Sequence, residues 1–235
     1  MMYYDPFLLL LSIVLMVVGL IVSSTLKSKF QEYSMDPLPN GMSGKDIAEK
    51  MLRDNGIYDV KVISVEGELT DHYNPINKTV NLSPNVYYGK HISAAAVAAH
   101  ECGHAIQHAT AYSMLMLRSQ LVPVVQVSAT IMNMLVIGLA FAGAMMPKLL
   151  NTFLLIFIVA QSVITLFSLI TLPVEIDASK RALQWLSHTN ILYGEKYEKA
   201  KDALKWAAYT YVVAAIGSVA TLLYYIWRFT QSREE

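Results

Sequence analysis

Four long apolar stretches constrain this chain more than any other feature of its sequence. Each approaches or exceeds the roughly 20 apolar residues that an α-helix needs to cross a bilayer. None contains Asp, Glu, Lys or Arg before its final residues. A helix can cross lipid because it satisfies its own backbone hydrogen bonds. The sequence therefore predicts a mainly α-helical membrane protein with about four transmembrane helices, at Phe7–Ser23, about Leu121–Met146, Leu149–Leu172 and Ala207–Phe229.

The composition narrows the class of protein further. Charged residues make up only 15% of the 235 residues and the net charge is zero, so nothing indicates a nucleic-acid partner. The leader MMYYD carries no positive charge, which argues against a cleaved signal peptide and favours a retained anchor. A buried helix of a soluble domain is the alternative for the second stretch, which carries Gln126, Ser128, Thr130 and Asn133.

The distribution of positive charge predicts the orientation in the membrane. Only Pro147 and Lys148 separate the second and third stretches, which predicts a tight hairpin. Four spans then place residues 24–120 and 174–206 on one side. This side carries all but three of the 18 lysines and arginines. Because positively charged loops are retained in the cytoplasm, we predict that the larger side is cytoplasmic.

The polar segment after the first stretch has the pattern of a small α+β domain. Residues 43–55 have the periodicity of an amphipathic helix that Ser43 can cap. Three short runs, VKVISVEG, ELTDHY and KTVNLSP, are separated by turn residues. Such runs predict a small sheet.

The segment AAAVAAHECGHAIQHATAY, residues 94–112, places three histidines and a glutamate among helix-forming alanines, and Ser93 can cap this helix. His100 and His104 are four residues apart and share a helix face, where two neutral imidazoles can bind one metal ion. Glu101 is rotated by about 100° from His100, beside the ion, where it can take a proton from water. Burying these groups without a metal would cost free energy. The segment therefore predicts a zinc site with Glu101 as general base.

A catalytic zinc ion needs a third protein ligand and one open position. A metzincin would have glycine and histidine where this chain has Gln107 and Thr110, so that class is excluded. His108 has moved by about 80° around the helix from His100. We expect His108 to lie beside the ligands or to face a substrate, and a plain surface histidine is the alternative.

The segment LPVEIDASKRAL offers an acidic third ligand. Glu175 follows Pro173 after the third apolar stretch, where we expect a new helix to begin. Asp177 competes with it, but residues two apart cannot share a helix face. We favour Glu175 as the ligand and expect Asp177 to orient a ligand histidine. In the alternative, both are interfacial acids paired with Lys180 and Arg181.

These segments are similar to a known family. HECGH, LPVEIDASKRAL and the earlier ELTDHYNPINKTVNLSPNVY resemble the YugP-like family of neutral zinc metallopeptidases of bacterial membranes, over nearly the whole chain. More distantly they resemble the HtpX-type membrane gluzincins, which share a four-span plan with a cytosolic site. The resemblance implies three zinc ligands and one catalytic base: His100, His104, Glu175 and Glu101. The wider pattern has Asp three or four residues after the ligand Glu, where this chain has Ala178 and Ser179.

Motif and resemblance together predict a zinc endopeptidase of the bacterial cell membrane with one Zn²⁺ per chain, the bilayer as its environment and proteins or peptides as substrates. Such enzymes also need a group that stabilises the oxyanion. The sequence leaves four candidates open: His72, His108, His188 and Tyr193. An intramembrane zinc protease and a catalytically silent zinc-binding scaffold are the alternatives.

We further expect Thr79, Val80, Asn81 and Leu82 to form an exposed edge strand that binds extended substrate by strand addition. An edge that is merely covered by the domain is the alternative. The predicted domain plan has five parts: a transmembrane anchor (1–26), a gluzincin-like membrane-surface peptidase domain (27–112), a transmembrane hairpin (113–172), a second metal-ligand helical segment (173–206) and a C-terminal transmembrane helix (207–235).

Overall fold

The computed structural model describes residues 5–142 and 150–232, which form seven α-helices and three β-strands. The helices are α1 (Pro6–Ser34), α2 (Gly44–Asp54), α3 (Pro84–Tyr87), α4 (Ile92–Ala109), α5 (Ser113–Ala142), α6 (Leu150–His188) and α7 (Gly194–Gln231). The strands are β1 (Lys61–Ser64), β2 (His72–Asn74) and β3 (Thr79–Leu82).

Four helices within these ranges, α1, α5, α6 and α7, are long and apolar enough to cross a membrane. Over the described residues, each coincides with one of the apolar stretches found in the sequence. The prediction of a mainly α-helical membrane protein with a small sheet is confirmed. The predicted hairpin at Pro147 and Lys148 lies outside the described residues.

The chain divides into two compact units. The apolar unit comprises Met1–Ile21, Leu117–Leu172 and Tyr211–Glu235, and the mixed unit comprises Val22–Met116 and Pro173–Thr210. In the apolar unit, Gln161 and Thr165 of α6 both donate hydrogen bonds to the backbone oxygen of Ser218 on α7. Such bonds satisfy polar groups where lipid offers no partner.

The helix α2 begins where the sequence indicates. Ser43 and Asp46 form a capping box, in which each side chain accepts a hydrogen bond from the other residue's backbone N–H. The apolar face of α2 is almost fully removed from solvent, with Ile47, Ala48, Met51 and Leu52 at 0–2% exposure. This face packs against α4 and anchors it in the core of the mixed unit.

The strand β3 lies at the centre of the sheet. It pairs in parallel with β1 on one side and antiparallel with β2 on the other, in the order β1-β3-β2. The prediction that Thr79, Val80, Asn81 and Leu82 form an exposed edge that binds substrate is therefore wrong, because both sides of this strand already carry strand partners. Val80 and Leu82 are fully buried.

Two predicted helix starts are also wrong. The N-cap of α4 is His91, whose Nδ1 accepts a hydrogen bond from the backbone N–H of Ala94. Ser93 lies inside the first turn and donates instead to the backbone oxygen of Phe30. Pro173 does not begin a helix, because α6 continues through it. Membrane proteins tolerate proline inside long helices where neighbouring groups satisfy the freed backbone.

Candidate metal centre

The helix α4 presents two imidazoles to α6. Its first eight residues are mainly alanine, a strong helix former, and Ala94–Ala96, Ala98 and Ala99 are fully buried. His100 and His104 follow on one face, with their ring centroids 4.8 Å apart. The small residues before them allow the helix to lie deep in the mixed unit, so the two imidazoles are held on a rigid and largely buried element.

Gly103 allows α4 and α6 to approach closely. A Cβ atom added to Gly103 would lie 2.6 Å from the backbone oxygen of Ala178 and 3.0 Å from its Cα. No side chain larger than hydrogen fits there without moving backbone atoms. The close approach brings the first turns of α6 after Pro173 next to the two imidazoles.

We expect Gly103→Ala to lower the free energy of unfolding by about 1–3 kcal/mol, because the added methyl overpacks the contact between the helices. Thermal unfolding of the full chain in detergent measures this. Gly19→Ala is the matched control, because a Cβ at Gly19 meets nothing within 4 Å. Equal unfolding temperatures for the two variants would contradict the close approach.

Three potential ligand atoms converge where the helices meet. Glu175 Oε2 lies 3.3 Å from His100 Nε2 and 3.4 Å from His104 Nε2, and all three lie within 4.8 Å of one another. Zinc bonds of about 2.0–2.2 Å in a tetrahedral site place ligand atoms roughly 3.3–3.5 Å apart. Glu175 is only 2% exposed. The donor set of two imidazoles and one carboxylate fits a zinc ion and leaves one position open.

Hydrogen bonds to the second ring nitrogens fix both imidazoles. His104 Nδ1 lies 3.0 Å from Gln107 Oε1, and Gln107 Nε2 donates to Val174 O and to Asp177 Oδ2. Since both of these partners only accept, the Gln107 oxygen must face His104. His104 therefore carries a proton on Nδ1. When the ring is neutral, its unprotonated Nε2 faces Glu175, and this is the form that binds a metal.

His100 Nδ1 lies 3.0 Å from Ser179 Oγ, so Ser179 supports the imidazole from a position where the wider pattern has an acid. Asp177 was expected to orient a ligand histidine. It accepts hydrogen bonds from Gln107 and from Arg181 Nε, and reaches His104 through the Gln107 amide.

Glu101 follows His100 on α4, is only 8% exposed, and interacts electrostatically with both imidazoles and with Glu175. Burial raises the pKa of its carboxyl; the positive charges of His100 and His104 oppose this rise, and the negative charges of Glu175 and Asp71 add to it. The pKa is raised overall. A carboxyl with a raised pKa is suited to carry a proton between reacting groups near neutral pH.

Four residues were considered as groups that stabilise the oxyanion. His108 is on the metal-binding helix, and its Nδ1 lies 2.9 Å from the Tyr73 hydroxyl. Tyr73 is on β2, and neighbouring side chains of a strand point to opposite faces, so the exposed His72 faces away from α4. His188 is 13 residues beyond Glu175 on α6, about 20 Å along the helix. Tyr193 is 66% exposed in the following turn.

Sequence reasoning missed Gln107, Ser179 and Tyr73. Two of them carry a signal in the sequence: Gln107 is three residues after His104, and Ser179 is four after Glu175, so each shares a helix face with a ligand. Tyr73 carries none, because its contact with His108 depends on how the sheet packs against α4.

Cys102 points away from the ligands, as the helical spacing predicts. It is fully buried, and its Sγ lies 3.5 Å from the backbone oxygen of Ala48 on α2. Burial raises the pKa of the thiol well above its ordinary value. Cys102 is therefore a packing residue between α4 and α2.

Two comparisons with known proteins indicate the family of this chain. A family model described as "Putative neutral zinc metallopeptidase" matches residues 8–230. The chain is also similar to a protein of Bacillus subtilis (strain 168) named "Putative membrane protease YugP", with 39% identity over 209 residues that cover 89% of this chain and 90% of the relative. No solved structure shows a significant match. The chain therefore belongs to the neutral zinc metallopeptidase family that this model describes.

Proposed function

We propose that the protein is a membrane-bound zinc-dependent endopeptidase that hydrolyses membrane or membrane-proximal proteins. One observation carries the proposal. The buried carboxylate of Glu101 interacts electrostatically with His100, His104 and Glu175, a ligand set that fits zinc and leaves a position for water. A structural zinc site has four protein ligands and needs no adjacent buried carboxylate.

His100, His104 and Glu175 would hold the ion, which, when bound, lowers the pKa of water and polarises a peptide carbonyl. Glu101 accepts the proton of the attacking water and then donates it to the leaving amine. Gln107 and Ser179 keep the two imidazoles in the orientation that binds metal.

The placement of the apolar segments supports substrates at the membrane surface. Glu175 is three residues beyond Leu172, where the third apolar stretch ends. The segments that hold the site also contain most of the positive charge of the chain, which supports a cytoplasmic site.

The proposal is tested with the full-length chain reconstituted in lipid nanodiscs and incubated with casein and with unfolded membrane proteins. We expect cleavage that a zinc chelator abolishes and that one equivalent of Zn²⁺ restores. Cleavage that persists after the metal has been removed completely, or zinc-loaded protein that cleaves none of these substrates, would contradict the proposal.

Zinc binding is expected to weaken as the pH falls. Burial lowers the pKa of His104, but the hydrogen bond to Glu175 and the negative charges of Glu101 and Glu175 outweigh it, so the pKa is raised from its ordinary value of 6.5. Zinc binds only the neutral imidazole, so it must displace the proton that a charged His104 carries. As the pH is lowered, the apparent affinity for zinc should therefore begin to fall while the pH is still above 6.5. The loss should be up to about tenfold per pH unit for each proton displaced. Competition with a chromophoric chelator measures this, and constant affinity between pH 8 and pH 6 would contradict it.

A further inference from the structure

A groove on the mixed unit lies between α6 and α7. None of the three metal ligands lines it, although Ser179, which contacts His100, does. The groove has a volume of about 440 Å³. We name it the lysine groove and define it by the residues that line it: Ile176, Ser179, Lys180, Leu183, Gln184, Tyr197, Lys201, Leu204, Lys205 and Ala208. The groove combines aliphatic side chains with three lysines and contains no acidic residue among these lining residues.

The charge of the groove is incompletely neutralised. Lys201 lies 3.4 Å from Glu198 in an exposed ion pair. Within the described part of the chain, Lys180 and Lys205 form no ion pair with a carboxylate, and both are exposed. Lys205 instead lies 5.5 Å from the centre of the Tyr209 ring. The groove therefore presents positive charge without a matching acid.

Aromatic residues and the apolar stretches place the groove at the depth of lipid headgroups. Trp206 and Tyr209 of α7 are in contact, with ring centroids 5.3 Å apart, where the last apolar stretch of the chain begins. Tryptophan and tyrosine are enriched at the interface between membrane and water. On α6, Ile176 is four residues beyond Leu172, and its side chain is 50% exposed.

We propose that the lysine groove binds one anionic phospholipid. Lys180 and Lys205 attract the phosphate and the additional headgroup charge, and Ile176 and Ala208 contact the upper part of an acyl chain. Basic pockets between membrane helices are a known way to bind anionic headgroups. The inference goes beyond peptide hydrolysis and does not depend on it, because none of these four residues holds the metal or carries a proton.

The test uses the full-length chain in a nonionic detergent and counts bound lipids by native mass spectrometry. Phosphatidylglycerol and phosphatidylcholine with identical acyl chains are the two probes. We expect at least tenfold tighter binding of phosphatidylglycerol by the unaltered chain. The double variant Lys180→Gln/Lys205→Gln should weaken this binding by roughly 25-fold, since each lysine near a membrane surface contributes about fivefold.

The control is Lys61→Gln/Lys90→Gln, which removes the same charge from exposed positions outside the groove and should leave lipid binding unchanged. Ala208→Phe should also weaken binding, because it fills the apolar part while keeping the lysines. Equal affinity for the two lipids, or equal losses in the two double variants, would overturn the proposal. Displacement of the lipid by millimolar inorganic phosphate would also overturn it, because the site would then be a phosphate site.

Discussion

Replacing Glu101 by glutamine is expected to leave zinc bound and to lower kcat for peptide cleavage by about 10²–10⁴-fold, the usual contribution of a general acid–base group. Glutamine keeps the size of the side chain but cannot carry the proton from water to the leaving amine. None of the three ligand atoms belongs to Glu101, so the metal content should not change. Kinetics and zinc content are measured on the same preparation.

The control for this variant is Glu66→Gln, which removes a carboxylate from an exposed loop position. It should keep the activity of the unaltered chain. A Glu101→Gln protein that cleaves at the unaltered rate would rule out Glu101 as the proton carrier, whereas loss of zinc from this variant would show that Glu101 is a ligand.

Glu175→Gln is expected to lower zinc affinity by more than about 100-fold, a larger loss than outer groups around a metal usually cause. The variant removes the charged oxygen that lies 3.3 and 3.4 Å from the two imidazole nitrogens. Affinity is measured by competition with a chelator at pH 8, where protons compete with the metal less than they do at lower pH.

The paired variant is Asp177→Asn, which changes the competing acid two residues away. Asp177 contacts Gln107 and Arg181 rather than an imidazole, so its replacement should cost at most about tenfold in zinc affinity. A large loss with Asp177→Asn and a small one with Glu175→Gln would reverse the assignment of the third ligand.

The membrane-spanning helices and the three strands could be predicted from sequence because local patterns determine them. Each apolar stretch is long enough to demand a helix in lipid, and Ser43 with Asp46 marks the start of α2. The place of β3 could not be predicted. Its position at the centre of the sheet depends on the parallel partner β1, which lies more than a dozen residues earlier in the chain. Such pairing is a long-range choice that no local pattern encodes.

The metal centre also has parts that local sequence patterns determine and parts that depend on long-range packing. His100, Glu101 and His104 follow from spacing on one helix, and Glu175 was favoured over Asp177 from the sequence and by resemblance. The hydrogen bonds around the imidazoles could not be derived, because they depend on how closely α4 and α6 pack. Gln107 reaches Val174, and Ser179 reaches His100, only because Gly103 allows the two backbones to approach.

Zinc K-edge X-ray absorption of the zinc-loaded protein tests the metal centre most directly. We expect one zinc ion per chain with nitrogen and oxygen neighbours alone, at about 2.0–2.2 Å, and outer-shell scattering from two imidazole rings. Cys102 is buried against α2 and should contribute nothing. A zinc–sulfur distance near 2.3 Å, or scattering from fewer than two imidazoles, would contradict a site built from His100, His104 and Glu175.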